Sequence, residues 1–202
     1  MIKATLGRSV DALLERFLPF LFRRPLNPNL LSVLGVVISL GSAVSFARGA
    51  LPLGGLLLWA GGFFDVLDGA VARHNGTSSS FGGFLDSTLD RLVDMAILLG
   101  ILMHYAGAGD LRMALLAGIA SIATVLVSYT KARAESIVSE FNGGIMERFE
   151  RVVLLVAGAL TGYLPLCLGL VAAGSAITAV QRVAMAYRAM ARIDAAKQGE
   201  KT

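Results

Sequence analysis

The chain has 202 residues, of which 55% are hydrophobic and 16% are charged, and its formal net charge is +4. Soluble domains carry about 25% charged residues, so this composition excludes an ordinary soluble protein and favours one small membrane domain. The single cysteine, Cys167, excludes an intrachain disulfide. The net positive charge does not indicate nucleic-acid binding, because the basic residues gather where they would mark one face of a membrane.

Residues 1–24 form the first predicted element. Apolar residues recur there at helical spacing from Ile2 to Leu21, and Arg8, Asp11 and Arg16 lie among them. These charges interrupt any central apolar run, so the segment does not resemble a signal peptide. The pattern predicts an amphipathic helix in the membrane interface. Packing of the same helix against the rest of the protein is an alternative that is compatible with the first.

Six apolar segments follow, separated by short polar, glycine-containing or proline-containing connections. A helix of roughly 20 residues crosses a ~30 Å hydrocarbon core. We predict helices near residues 29–47, 54–73, 82–104, 111–135, 152–162 and 166–189. The predicted fold is therefore an all-α integral membrane protein. It has the interfacial helix (1–24), a domain of six transmembrane helices (25–192) and a loosely ordered charged tail (193–202).

The distribution of charge predicts how this domain is oriented. With six spans, the two termini, the turn at 73–82 and the loop at 134–148 fall on one side of the membrane. Nearly all lysines and arginines lie on that side, and only Arg48 and Arg112 lie near the opposite surface. By the positive-inside rule, the basic side and both termini are cytoplasmic. We expect the protein in the inner membrane of a bacterium or an archaeon.

Four aspartates lie near the junction of the second and third predicted helices. Asp65 and Asp68 are three positions apart, Asp86 and Asp90 are four apart, and each pair shares one face of its helix. A carboxylate within a membrane helix costs roughly 2.5–3.5 kcal/mol on insertion scales, and facing carboxylates also repel. Hard divalent cations take oxygen ligands and would offset both costs. Helix caps and surface acids are the alternative, but they do not explain this spacing on both helices.

The acidic stretch resembles D-x2-D-G-x2-A-R-x8-G-x3-D-x3-D, the signature of the CDP-alcohol phosphotransferase (CDP-alcohol phosphatidyltransferase) family. Every fixed position is matched, by Asp65, Asp68, Gly69, Ala72, Arg73, Gly82, Asp86 and Asp90. The resemblance implies a homodimeric membrane enzyme that transfers a phosphatidyl or related group from a CDP-alcohol to an acceptor hydroxyl and releases CMP. It also implies that Mg²⁺ or Mn²⁺, as two ions, binds at the aspartates.

The resemblance assigns roles to the matched residues. Asp65, Asp68 and Asp86 would hold the metals, and Asp90 would complete the metal site or act as general base on the acceptor hydroxyl. The donor, expected to be CDP-diacylglycerol, would contact Asp65, Asp68, Gly69, Ala72, Arg73, Gly82, Pro28 and Ser32. Helix capping is the alternative role for Pro28 and Ser32. Asp94 lies outside the signature, and we expect it to pair with Arg91 or to support the site from behind.

A second, basic group comes from three helix ends at the predicted depth of the aspartates. Its members are Lys131, Arg133, Arg148, Arg151 and Arg182. Such clusters bind phosphate, although positive-inside anchoring would explain some of these residues. The surrounding segments resemble those of prokaryotic phosphatidylinositol-phosphate synthases, which adds Ser128 and implies a pocket for the phosphate of inositol 1-phosphate.

The expected reaction is therefore transfer of a phosphatidyl group from CDP-diacylglycerol to a phosphorylated polyol, inositol 1-phosphate. Glycerol 3-phosphate is the alternative acceptor, because a phosphate pocket serves both, and the product would then be phosphatidylglycerol phosphate. A cation-coupled transporter is a distant alternative. It predicts carboxylates near the membrane midplane and two related halves, and the sequence contains no visible internal repeat.

Overall fold

The computed structural model describes residues 28–77, 79–138, 141 and 143–199, and the predicted interfacial helix over 1–24 lies outside this part of the chain. The described residues form six α-helices and no β-strand, which confirms the predicted all-α fold class. The helices are α1 (Pro28–Ala47), α2 (Leu51–His74), α3 (Ser80–Gly107), α4 (Leu111–Glu135), α5 (Arg148–Thr161) and α6 (Leu164–Gly199).

The six described helices pack as a closed ring. Going around it, α1 contacts α2, α2 contacts α5, α5 contacts α6, α6 contacts α4, α4 contacts α3, and α3 returns to α1. Apolar side chains fill the space between them, and the largest buried ones include Phe46, Ile97, Ile101 and Leu168. Because α5 lies beside α2, its first turn can reach the acidic end of α2, although α5 follows it by many residues in the chain.

Four of the described helices, α1, α2, α4 and α6, are long and apolar enough to cross a membrane. Helix α3 is long enough, but several charged residues lie in its first half. Helix α5 has 14 residues, and its length of about 21 Å is shorter than a hydrocarbon core. Large apolar side chains face outward around the ring, and Trp59 is 63% exposed. These features are those of a membrane protein.

The predicted helix ends are mostly within a few residues of the observed ones, and α4 matches at both ends. Helix α5 begins at Arg148 rather than near residue 152, because the backbone N–H of Glu147 donates to the Glu150 carboxylate at 2.9 Å and caps the helix earlier. The prediction of a loosely ordered tail from residue 193 is wrong as far as Gly199. Helix α6 continues to that residue, since alanine, lysine and glutamine there favour a helix.

Helices α1 and α2 approach each other closely at glycine. A Cβ atom on Gly35 would lie 3.1 Å from the Cβ of Phe64 and 3.2 Å from the carbonyl oxygen of Gly61. A side chain at this position would push the two backbones apart. The close approach brings Ser32, one turn earlier on α1, against Asp68 on α2, and the serine hydroxyl donates to the aspartate carboxylate.

Candidate active site

Three aspartates from α2 and α3 form one group, which we call the acidic cluster: Asp65, Asp68 and Asp86. Each contributes a carboxylate oxygen, and these oxygens all lie within 4.8 Å of one another. Only five residues, 75–79, separate the two helices in sequence, and Ser79 caps α3 by accepting from the backbone N–H of Gly82 at 3.0 Å. The turn and the helical spacing thus bring together three of the four predicted aspartates.

The fourth aspartate, Asp90, lies beside the acidic cluster and contacts an arginine. Nη1 of Arg148 lies 2.8 Å from Oδ1 of Asp90, and the same nitrogen donates to Oδ2 of Asp65 at 2.8 Å. An Nη atom carries two protons, so it can make both contacts at once. Arg148 therefore connects the acidic cluster to Asp90, a contact that the sequence did not predict.

Asp94, one turn beyond Asp90 on α3, pairs with arginines of α5. Its Oδ2 accepts from Nη2 of Arg151 at 2.7 Å, and its Oδ1 lies 3.7 Å from Nε of Arg148. Arg91 instead donates to a backbone carbonyl of its own helix, so the predicted pairing of Asp94 with Arg91 is wrong. The two arginines are three positions apart on α5, and this spacing places them on one helix face, turned toward α3.

A cleft of about 870 Å³ opens beside the acidic cluster, between the start of α1, the end of α2 and the start of α3. All eight residues predicted to contact the donor line it: Pro28, Ser32, Asp65, Asp68, Gly69, Ala72, Arg73 and Gly82. The lining also includes Asn29, Asn75, Thr77, Ser79 and Gly83, which the sequence analysis missed. Three of these five lie in the eight-residue gap of the signature, and Asn29 and Gly83 lie next to predicted donor residues; this was the only sequence signal for them.

Arg182 is 3% exposed, and it holds the segment that precedes α5. Its Nε donates to the carbonyl oxygen of Gly143 at 2.8 Å, and its Nη1 donates to that of Val127 at 2.6 Å. Its Nη2 contacts Oε1 of Glu147 at 3.3 Å. One turn earlier on α6, the hydroxyl of Thr178 accepts from a backbone N–H in the same segment. These contacts fix where α5 begins.

The other members of the predicted basic group lie near the end of α4. Nζ of Lys131 is 3.7 Å from Oε1 of Glu135, and the exposed Arg133 donates to the hydroxyl of Ser136. Ser128 is half-buried one turn earlier. Among the described residues, the lining of this cleft includes no member of the basic group. In the structure Arg148 and Arg151 thus contact the aspartates, whereas Lys131 and Arg133 contact residues at their own end of α4.

The chemistry of the acidic cluster suits a divalent cation. Its donors are three carboxylates, which offer only oxygen, and hard cations prefer such ligands. Without a cation, three facing carboxylates repel one another, and Asp68 is buried as well. The cluster also forms part of the cleft wall, so a cation held there would face a molecule bound in the cleft.

The structure is thus an all-helical membrane protein with a carboxylate cluster, able to hold a divalent cation, in the wall of a cleft. The family model for CDP-alcohol phosphatidyltransferases matches residues 26–192. The chain therefore belongs to this family of enzymes, and the resemblance inferred from the aspartate signature is confirmed.

Several individual proteins and solved structures are similar to this chain over most of its length. The phosphatidylinositol phosphate synthase of Streptomyces avermitilis is 38% identical over 217 residues, covering 98% of this chain and 89% of that one. The archaetidylinositol phosphate synthase of Methanothermobacter thermautotrophicus is 43% identical over 152 residues, or 75% of each chain. A crystal structure of the Mycobacterium tuberculosis phosphatidylinositol phosphate synthase with CDP-DAG bound has a TM-score of 0.75 and 31% identity, covering 91% of this chain and 94% of that one. The same enzyme in complex with manganese and citrate also gives a TM-score of 0.75, at 31% identity over 90% of this chain and 88% of that one.

Proposed function

We propose that this protein transfers the phosphatidyl group of CDP-diacylglycerol to a hydroxyl of inositol 1-phosphate, giving phosphatidylinositol phosphate and CMP. The observation that carries the proposal is the position of the acidic cluster in the wall of the cleft that all eight predicted donor residues line. The relatives support the choice of acceptor, since several are named as phosphatidylinositol or archaetidylinositol phosphate synthases.

The donor's cytidine diphosphate would occupy the cleft. Gly69 and Ala72 give it room along α2, and a Cβ atom on Gly69 would lie 3.1 Å from Nη1 of Arg73. Arg73 lines the same cleft and offers positive charge to the diphosphate. The two acyl chains would leave between helices toward the bilayer, where the outward side chains are apolar.

Asp65, Asp68 and Asp86 would hold one or two Mg²⁺ or Mn²⁺ ions, which supply positive charge to the diphosphate and to the departing CMP. Asp90 lies beside this set, where it contacts Arg148, and it would accept the proton of the acceptor hydroxyl; completing the metal site is its alternative role. The hydroxyl oxygen bonds to the phosphatidyl phosphorus, and the bond from that phosphorus to the bridging diphosphate oxygen breaks. The electron pair of the broken bond leaves with CMP.

The acceptor phosphate would bind beside Asp90, near the first turn of α5. Nε of Arg148 and Nη1 of Arg151 are buried and have no hydrogen-bond partner among the described residues. Buried donors without a partner cost free energy, and an anion would satisfy them. Arg182 retains two N–H groups after its three contacts. The full set proposed for the phosphate is Ser128, Lys131, Arg133, Arg148, Arg151 and Arg182.

The test is CMP release by the purified protein in detergent with Mn²⁺ or Mg²⁺. CDP-diacylglycerol and its ether-linked analogue are each offered with inositol 1-phosphate, glycerol 3-phosphate, inositol and serine. We expect turnover with inositol 1-phosphate and with neither unphosphorylated acceptor. Turnover with glycerol 3-phosphate but not with inositol 1-phosphate would support the proposed reaction and show that the proposed acceptor is wrong. An absence of CMP with every pair, from protein that still binds Mn²⁺, would contradict the reaction itself.

We also propose six transmembrane spans, cytoplasmic termini, an active site that faces the cytoplasm of a bacterial or archaeal inner membrane, and a homodimer. The basic residues near the acidic cluster support this orientation. In a Cys167→Ala background, Thr77→Cys should react with an impermeant maleimide only in inside-out vesicles, and Ala108→Cys only in right-side-out ones. Both positions are exposed, at opposite ends of α3. Chemical cross-linking in native membranes tests the dimer.

A further inference from the structure

One guanidinium, that of Arg148, contacts carboxylates from two helices. Its Nη1 lies 2.8 Å from both Asp65 on α2 and Asp90 on α3, and its Nε lies 3.7 Å from Asp94 on α3. The Arg148 side chain is only 26% exposed, so water screens these contacts poorly. If Arg148 were neutral, the three aspartates would repel one another across the gap between α2 and α3.

Asp65 takes part in two arrangements at once. It contributes an oxygen to the acidic cluster, and its Oδ2 accepts a hydrogen bond from Arg148. A divalent cation bound by Asp65 would lie close to the guanidinium, and two positive charges at that separation repel strongly in a partly buried site. Arg148 and the cation therefore compete for Asp65. The contact of Arg148 with Asp90, at 2.8 Å, involves no oxygen of the acidic cluster.

We infer that Arg148 is a built-in counter-ion, which balances the aspartates while no metal is bound and gives up Asp65 when a divalent cation enters. The inference rests on the proposed function only in that the acidic cluster binds such a cation. After the exchange Arg148 would retain its contacts with Asp90 and Asp94. Arg148 is therefore a positioning residue for Asp90, in addition to its proposed contact with the acceptor phosphate.

A neutral side chain at position 148 should therefore lower the stability of the metal-free protein and raise its affinity for Mn²⁺. Arg148→Met keeps much of the side-chain volume and removes the charge. Without metal, the variant should be less stable than the wild type, because Asp65, Asp90 and Asp94 lose their shared partner. With metal, Asp65 is no longer contested, so the variant should bind Mn²⁺ about tenfold more tightly or better. Simple damage to the fold would lower both stability and affinity.

The experiment uses full-length protein in detergent, without donor or acceptor. Isothermal titration calorimetry gives the Mn²⁺ affinity, and melting temperatures are recorded in EDTA and in saturating Mn²⁺. Arg148→Met and Arg148→Gln are compared with Arg148→Lys, which retains the charge and should therefore not bind Mn²⁺ more tightly than the wild type. Arg112→Gln is the control for net charge, since Arg112 is exposed at the far end of α4, and it should change neither quantity.

We expect both neutral variants to melt lower in EDTA, to show a larger rise in melting temperature with Mn²⁺ than the wild type, and to bind Mn²⁺ more tightly. Folding of either variant only in the presence of Mn²⁺ would also support the inference. Equal or weaker Mn²⁺ binding by a folded neutral variant would overturn it. So would neutral variants that stay unfolded in saturating Mn²⁺, because the cation should replace the missing charge. An error in the proposed acceptor leaves these measurements unaffected.

Discussion

The ion pair between Asp94 and Arg151 allows a quantitative test of how the site is held together. The two side chains meet at 2.7 Å, Arg151 is 4% exposed and Asp94 is 12% exposed. Removing one partner of a buried pair costs about 3–5 kcal/mol, because the other charge is left buried without compensation. Asp94→Asn retains an oxygen that can accept from Arg151, so we expect about 3 kcal/mol, near the lower limit of that range.

For a chain of about 200 residues, 1 kcal/mol corresponds to roughly 2–4 °C in melting temperature, so Asp94→Asn should melt about 6–12 °C lower. The assay is thermal unfolding in detergent without substrates. Glu135→Gln is the matched control. Its partner Lys131 lies 3.7 Å away, and the two side chains are 46% and 34% exposed, respectively. Breaking this exposed pair should cost less than about 0.5 kcal/mol.

The double variant Asp94→Asn with Arg151→Met decides whether the charge is the cause. Removing both charges leaves no uncompensated ion, so the double variant should be more stable than Asp94→Asn alone. If the destabilisation of the double variant equals the sum of the two single effects, the residues are not coupled and the reasoning fails. The same measurement separates stability from acceptor binding, because it is made without substrates.

Three further predictions concern catalysis. Asp90→Asn should lower kcat for CMP release by about 10²–10⁴-fold, the usual contribution of a general base, and should leave the Mn²⁺ affinity nearly unchanged. Asp86→Asn should lower both kcat and the Mn²⁺ affinity, measured in the same kinetic and calorimetric assays. Lys131→Ala should raise the KM for inositol 1-phosphate more than that for CDP-diacylglycerol, and the opposite ratio would assign this lysine to the donor. Gly69→Ala should raise the KM for the donor, because the added Cβ would press on Arg73 in the cleft wall. An unchanged donor KM would show that the donor does not approach α2 at this position.

The acidic cluster could be predicted from the sequence because its geometry is local. Spacings of three and four residues fix a helix face, and a short polar turn brings two such faces together. The pattern placed Asp65, Asp68 and Asp86 correctly for this reason. The contacts of Arg182 could not be predicted in the same way, because it bonds the backbone of Val127, 55 positions away in sequence. Helical periodicity contains no information about such a partner.

The arginines of α5 show a second limit of the sequence. Arg148 and Arg151 are three positions apart, and the sequence alone does not decide which of them points toward the aspartates. In the structure both contact aspartates of α3. The answer depends on where α5 begins, which the Glu147–Glu150 contact and Arg182 settle together. A prediction from apolar residues alone starts the helix later, since its first turn is charged, and then leaves both arginines in a loop.

The short length of α5 can be understood from the same contacts. The helix has 14 residues, about 21 Å, so the fifth proposed span would also need residues before Arg148 to cross a ~30 Å hydrocarbon core. Its first turn lies at the level of Asp90 and Asp94, and that turn supplies Arg148 and Arg151. A longer helix that began at the membrane surface would have its middle turns, rather than its first turn, at the level of these aspartates. Arginines without a partner are costly in the middle of a membrane helix. Beginning α5 at the depth of the aspartates lets one helical turn neutralise charges from α2 and α3, which a continuous apolar span could not do.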